Sequence, residues 1–123
     1  MLDTTPVMCF AATKDAARAR AFYQGKLGLR FVADEPTALV FNLAGTELRI
    51  QKVESFTPHP FTALGWQVSN LQAKMAGLVE AGVVFERYPG MTQDAEGVWS
   101  APDGARIAWF KDPDGNTLSL TER

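Results

Sequence analysis

The sequence predicts an α+β fold of two tandem β-α-β-β-β modules, and three observations carry that expectation. The same order of elements runs twice along the chain, a tight-turned hairpin closes the second copy, and apolar residues alternate in the strands but recur every three or four residues in two helical stretches. Two such modules would form a curved mixed sheet with helices on its outer face and a ligand cup on its inner face. An apolar content of 46% with 21% charged residues is that of a globular chain, and 123 residues suffice for one domain with a full core. The expected organisation is a single domain over 1–123, with module one at about 5–53, a linker at 54–61 and module two at about 62–123.

Val7 to Ala12 is apolar throughout, as a central strand is, and Thr13 or Asp15 then supplies a helix cap. Ala19, Phe22, Tyr23 and Leu27 fall on one helical face, Arg18, Arg20, Gln24 and Lys26 face away, and Gly28 ends the helix as a left-handed cap. Leu29 to Ala33, Ala38 to Leu43 and Thr46 to Val53 read as strands, separated by Asp34-Glu35-Pro36 and Ala44-Gly45. After the proline-rich linker Glu54 to Pro60, Ala63 to Val68 begins the second copy and Asn70 caps a second helix. Leu71, Met75, Leu78, Val79 and Gly82 follow at helical spacing. Gly28-Leu-Arg-Phe31 matches Gly82-Val-Val-Phe85, Asp15 matches Asn70, and Gly45 to Ile50 matches Gly115 to Leu120. The second copy is longer, and its insertion is placed in Tyr88 to Asp103.

Gly104 to Leu120 reads as two strands joined by Asp112-Pro113-Asp114-Gly115-Asn116. Pro113 presets φ for a turn, Asp112 can bond the amides ahead of it, and Gly115 takes the left-handed position. Phe110 then lies opposite Leu118 and Trp109 opposite Ser119. One face carries Ala108, Phe110, Leu118 and Leu120. The other carries Ile107, Trp109, Lys111, Thr117, Ser119 and Thr121, too polar for a core and too aromatic for plain solvent. The same alternation assigns Val7, Cys9, Ala11, Leu48, Ile50, Leu64, Trp66 and Val68 to the core. It turns Met8, Phe10, Glu47, Arg49, Gln51, Ala63, Gly65 and Gln67 toward the inner face.

A net charge of −2 leaves no basic stripe for nucleic acid and no polybasic patch for a membrane, so neither partner is expected. Met1 to Pro6 has no basic-then-apolar leader, and no run of about 18 apolar residues occurs, which points to a cytoplasmic protein. Cys9 stands alone and reads as a small inert hydrophobe.

Phe22-Tyr23 with Leu27-Gly28-Leu29, and Trp109 to Asn116 with Leu118 and Leu120, resemble the vicinal oxygen chelate superfamily of glyoxalases, extradiol dioxygenases and bleomycin-resistance proteins. Both motifs are scaffold, a helix packed on a sheet and a tight turn, so they speak to fold more than to activity. The resemblance implies a divalent metal held by one side chain, commonly His, from the first strand of each module and one carboxylate from the last strand of each. Those places fall here at Met8 and Ala63, and at Arg49 (or Gln51, one pleat along) and Ser119. A thioether, a hydroxyl and a positive charge do not hold a divalent ion, so no metal and no other cofactor is expected. The Lewis-acid chemistry of the family enzymes then lacks its source of charge stabilisation.

The expected function is a metal-free small-molecule binding protein of the bleomycin-resistance type, sequestering or sensing an aromatic or anionic compound. Its expected ligand-binding residues are Met8, Phe10, Arg49 and Gln51 in the first module, and Gln67, Trp99, Trp109 and Ser119 in the second. The alternatives are a glyoxalase-related lyase, isomerase or dioxygenase using a non-standard site, and an accessory module whose cup is filled by its own side chains. Arg49 reads either as a solvated strand residue or as a cation for a carboxylate or phosphate. Trp99 and Trp109 read either as packing aromatics or as stacking walls. The spacing of Asp112, Asp114 and Asn116 suits a turn better than a calcium loop. His59, the only histidine, lies between two prolines as an exposed loop residue or a rim contact, and Ser119 has no activating partner in any motif. The resemblance implies a homodimer, in which a second copy covers exposed strand edges. Whether the cup forms within one chain or across two stays open.

Overall fold

The computed structural model describes residues 1–123, which form two compact units, Met1–Thr57 and Pro58–Arg123. In the first unit, β1 (Met8–Thr13) and α1 (Ala16–Arg20) precede β2 (Arg30–Asp34), β3 (Ala38–Leu43) and β4 (Thr46–Lys52). The sheet order is β1-β4-β3-β2, with β1 parallel to β4 and the other pairs antiparallel. Asp15 caps α1 by accepting from the Arg18 amide at 3.1 Å. Ala21–Lys26 then continues as a π-helical turn in which the Leu27 amide reaches the Phe22 carbonyl. Phe22 and Tyr23 meet there edge to face at 5.2 Å, and both are buried. Apolar spacing alone reads this stretch as an ordinary helix, because the widened turn moves hydrogen bonds without moving residue types.

The second unit repeats the order with β5 (Thr62–Gln67), α2 (Leu71–Glu80), β6 (Trp99–Ser100), β7 (Arg106–Lys111) and β8 (Thr117–Glu122), arranged β5-β8-β7-β6. Asn70 caps α2 through the Ala73 amide at 3.1 Å, as Asp15 does for α1. Gly28 and Gly82 both take left-handed φ, +70° and +96°, at the ends of their helical stretches. Phe31 meets Phe41 edge to face at 5.5 Å, and Phe85 meets Phe110 in the same way at 5.6 Å. The short sequence matches therefore mark equivalent structural positions. The insertion splits the counterpart of β2, since Phe85 bridges Phe110 while Trp99 and Ser100 pair with Ile107 and Arg106. No helix is long and apolar enough to cross a membrane.

The closing hairpin has the expected register, Phe110 against Leu118 and Trp109 against Ser119. Ala108, Phe110, Leu118 and Leu120 are buried, and the alternate residues Ile107, Trp109, Thr117 and Thr121 are half-buried. Val7, an expected core residue, and Val79, on the expected apolar helix face, are corrected, and the expected core residues Leu64, Trp66 and Val68 are only half-buried. Val7 is 67% exposed because β1 begins one residue later, and Val79 is 56% exposed on the flank of α2 while Leu71 and Met75 fill the core. Nor is β1 a central strand of its sheet. It ends the strand order, and Cys9 and Ala11 are only half-buried.

Asp112 is buried in the turn, its Oδ1 accepting from the Asp114 and Asn116 amides at 2.9 Å each and its Oδ2 from Asn116 Nδ2 at 2.7 Å. Gly115 closes the turn at φ +91°. Replacing Asp112 with Ala removes the acceptor for these turn amides and is expected to lower stability by about 2 to 3 kcal/mol in urea unfolding. Asp112→Asn, which keeps an acceptor oxygen, is expected to recover part of that loss.

Candidate functional site

The insertion between Phe85 and Trp99 is held in shape by its own polar groups. Gln93 Nε2 donates to the carbonyls of Glu86 at 3.0 Å and Gly97 at 2.7 Å, and its Oε1 accepts from the Tyr88 amide at 2.8 Å. The Arg87 guanidinium donates to the Asp94 and Ala95 carbonyls at 2.7 and 3.4 Å. Asp94 Oδ1 accepts from the amides of Val98 and Glu96 at 2.9 Å each. Backbone donors, the Val98 amide first, hold the Asp94 carboxyl below its ordinary value of 3.8.

This ordered loop brings Tyr88 and Met91 to the half-buried Trp109 on β7. Tyr88 meets the Trp109 ring edge to face at 5.8 Å, Trp99 lies tilted against it at 6.2 Å, and Trp109 Nε1 donates to Thr62 Oγ1 at 3.2 Å. The start of the unit adds a second aromatic surface, the His59 ring lying flat on Phe61 with centroids 4.9 Å apart and planes 9° apart. Together with Lys111 and Thr117 from the hairpin, these groups other than Trp99 line a cavity of about 590 Å³. Gly115 forms part of its wall, and a Cβ there would approach Pro58 Cγ at 3.3 Å. Burial, and then the nearby Glu86 carboxylate, push the Tyr88 phenol up, so it stays protonated at neutral pH. Lys111 Nζ lies 3.8 Å from the Glu86 carboxylate, a loose pair with both side chains partly exposed.

Of the residues expected from sequence to bind a ligand, only Trp109 lines this cavity directly, with Trp99 packed behind it. Ser119 pairs with Trp109 across the hairpin and is 7% exposed. Its Oγ lies 2.6 Å from where a Cβ on Gly65 would stand. Gln67 is exposed opposite Thr121 on β8. Met8, Phe10, Arg49 and Gln51 belong to the other unit, where Phe10 pairs with Arg49 and Met8 with Glu47. Met8 and Phe10 are 47% and 50% exposed. Arg49 is no bare cation: it donates to Glu35 at 2.8 Å and Glu47 at 3.3 Å, and these bonds, Glu35 first, raise its pKa further. Sequence reasoning missed Tyr88, Met91 and Phe61 as wall residues. The signal for Phe61 was its place in an aromatic, proline-rich segment just ahead of a strand, but nothing local ties Tyr88 or Met91 to β7.

A family model described as the Glyoxalase/Bleomycin resistance protein/Dioxygenase superfamily matches residues 5–120. The chain belongs to this superfamily. Solved structures similar to this superfamily member include one from Sphaerobacter thermophilus DSM 20745, 24% identical with a TM-score of 0.74 and full coverage of both chains. TnmS3, an antibiotic binding protein from Streptomyces sp. CB03234, is 23% identical with a TM-score of 0.72, covering 99% of this chain and 98% of its own. A lactoylglutathione lyase from Agrobacterium tumefaciens is 16% identical with a TM-score of 0.74, covering 98% and 95%. At these identities the likeness shows the fold. Comparison with curated proteins returns no match.

The metal that the glyoxalase superfamily implies does not fit this member's side chains. Its four matching places hold Met8, Arg49 (or Gln51, one pleat along), Ala63 and Ser119, and Arg49 is already paired with two carboxylates. No three His, Cys, Asp or Glu side chains come together anywhere as a donor set.

Two outcomes test this description of the site. Because its folded pKa is depressed, Asp94 contributes stability that is present above 3.8 and lost as pH falls through the folded value. Asp94→Ala is therefore expected to destabilise at neutral pH and to flatten the acid limb of the stability profile, measured by urea unfolding across that range. Gly65→Leu is expected to displace the Ser119 hydroxyl and cost about 1 to 3 kcal/mol by overpacking, and Ser119→Ala in the same chain to relieve part of it.

Proposed function

We propose that this chain is a metal-free small-molecule binding protein of the bleomycin-resistance type, which sequesters or senses a planar aromatic compound beside Trp109. The cavity carries this reading. Its volume of about 590 Å³ is that of a drug-sized ligand site, and its walls offer flat ring surfaces with a few polar groups at fixed places. Trp109 is suited to be the main stacking surface, because its indole is clamped by the Thr62 bond and by Tyr88 and Trp99 before any ligand arrives. The likeness to an antibiotic binding protein supports binding as the activity. The missing donor set supports a binder over a lyase, isomerase or dioxygenase that works through a metal.

The exposed Met8 and Phe10, on a strand that ends its sheet's order, support a homodimer in which a second copy covers them.

Phenylnaphthylamine, an uncharged planar probe, is expected to saturate one site per chain and to quench tryptophan emission. Treatment with a chelator is expected to leave that binding unchanged, and Trp109→Ala to weaken it about tenfold, with far-UV circular dichroism confirming that the variant folds. One tightly held transition metal per purified chain, seen by native mass spectrometry, would overturn the metal-free reading.

A further inference from the structure

Every polar side chain on the cavity wall can donate a hydrogen bond, and no carboxylate side chain lines it. Lys111 supplies the only fixed formal charge there, a cation with three donors. Thr62 Oγ1 already accepts from Trp109 Nε1, which turns its own hydrogen toward donation. Tyr88 is a neutral phenol, Thr117 adds a hydroxyl, and His59 adds an imidazole stacked on Phe61. The counter-charge of Lys111 is Glu86, which lies outside the wall at 3.8 Å, too loose to hold the ammonium against a better acceptor. Arg49, the cation expected from sequence, sits in the other unit and is neutralised by Glu35 and Glu47.

We infer that the cavity selects an aromatic compound bearing an anionic group, and that Lys111 reads the anion while the rings around Trp109 take the aromatic part. This rests on the binding role proposed above and deepens it. A planar acid would place its acceptor oxygens toward Lys111 and the threonine hydroxyls, trading the long Glu86 pair for a shorter charge-assisted bond. An aromatic cation would meet the Lys111 ammonium on a wall that offers no carboxylate of its own.

Two probes of almost the same shape separate the two claims: anilinonaphthalene sulfonate and its uncharged parent, phenylnaphthylamine. The wild-type chain is expected to bind the sulfonate roughly fivefold tighter than the neutral amine, the size of one partly exposed charge-assisted bond. Lys111→Met is expected to abolish that preference, read as the ratio of the two affinities, with far-UV circular dichroism and Tm confirming the fold. Lys74→Met, on α2 and outside the wall, is expected to keep the preference and so to place the effect at this cavity. If the neutral amine binds the wild type as tightly as the sulfonate, or Lys111→Met keeps the preference, the anion selectivity is overturned while the binding role stands. If neither probe binds the folded wild type, the binding role itself fails and this inference with it.

Discussion

The turn at Asp112 is the constraint on which the second unit depends. One carboxylate receives three hydrogen bonds from the turn it begins, and Gly115 supplies the left-handed step that lets the chain return. Because strand residues alternate, this five-residue loop decides the face of every side chain on β7 and β8. Phe110 and Leu118 go to the core, and Trp109, Lys111 and Thr117 go to the side that bears the cavity. A slip of one residue would bury Lys111 and expel Phe110. The acidic residues of the turn thus serve geometry, and their resemblance to a cation loop is a by-product of the turn they build.

The two modules share a plan and have diverged in what they present. Caps at Asp15 and Asn70, left-handed glycines at Gly28 and Gly82, and the edge-to-face pairs of Phe31 and Phe85 occupy corresponding places. In the first unit the strand after the helix is continuous. In the second it is interrupted by a loop whose backbone groups are satisfied by Gln93, Arg87 and Asp94, so that extra chain becomes an ordered wall. That loop turns one plain sheet face into a ring-lined cavity.

Charge follows the same division. In the first unit Arg49 is spent on Glu35 and Glu47, and Lys52 on Asp34, while Met8 and Phe10 are among its exposed apolar residues. In the second, the cavity keeps a loosely paired lysine among aromatic rings. The carboxylates that the strands carry are engaged in ion pairs, Glu47 on β4 with Arg49 and Glu122 on β8 with Arg106.

Local chemistry made the element order, the helix caps, the hairpin register and the family's two scaffold motifs legible in the sequence, because each is set by residues within one turn or one strand pair. Tertiary structure alone decided that Val7 lies outside β1, that Arg49 meets Glu35 across its sheet, and that Tyr88 and Met91 fold back onto Trp109 while Phe61 carries His59. The Arg49, Tyr88 and Met91 contacts join residues far apart in the chain, and the long loop that brings Tyr88 to Trp109 has no periodicity from which its path could be derived.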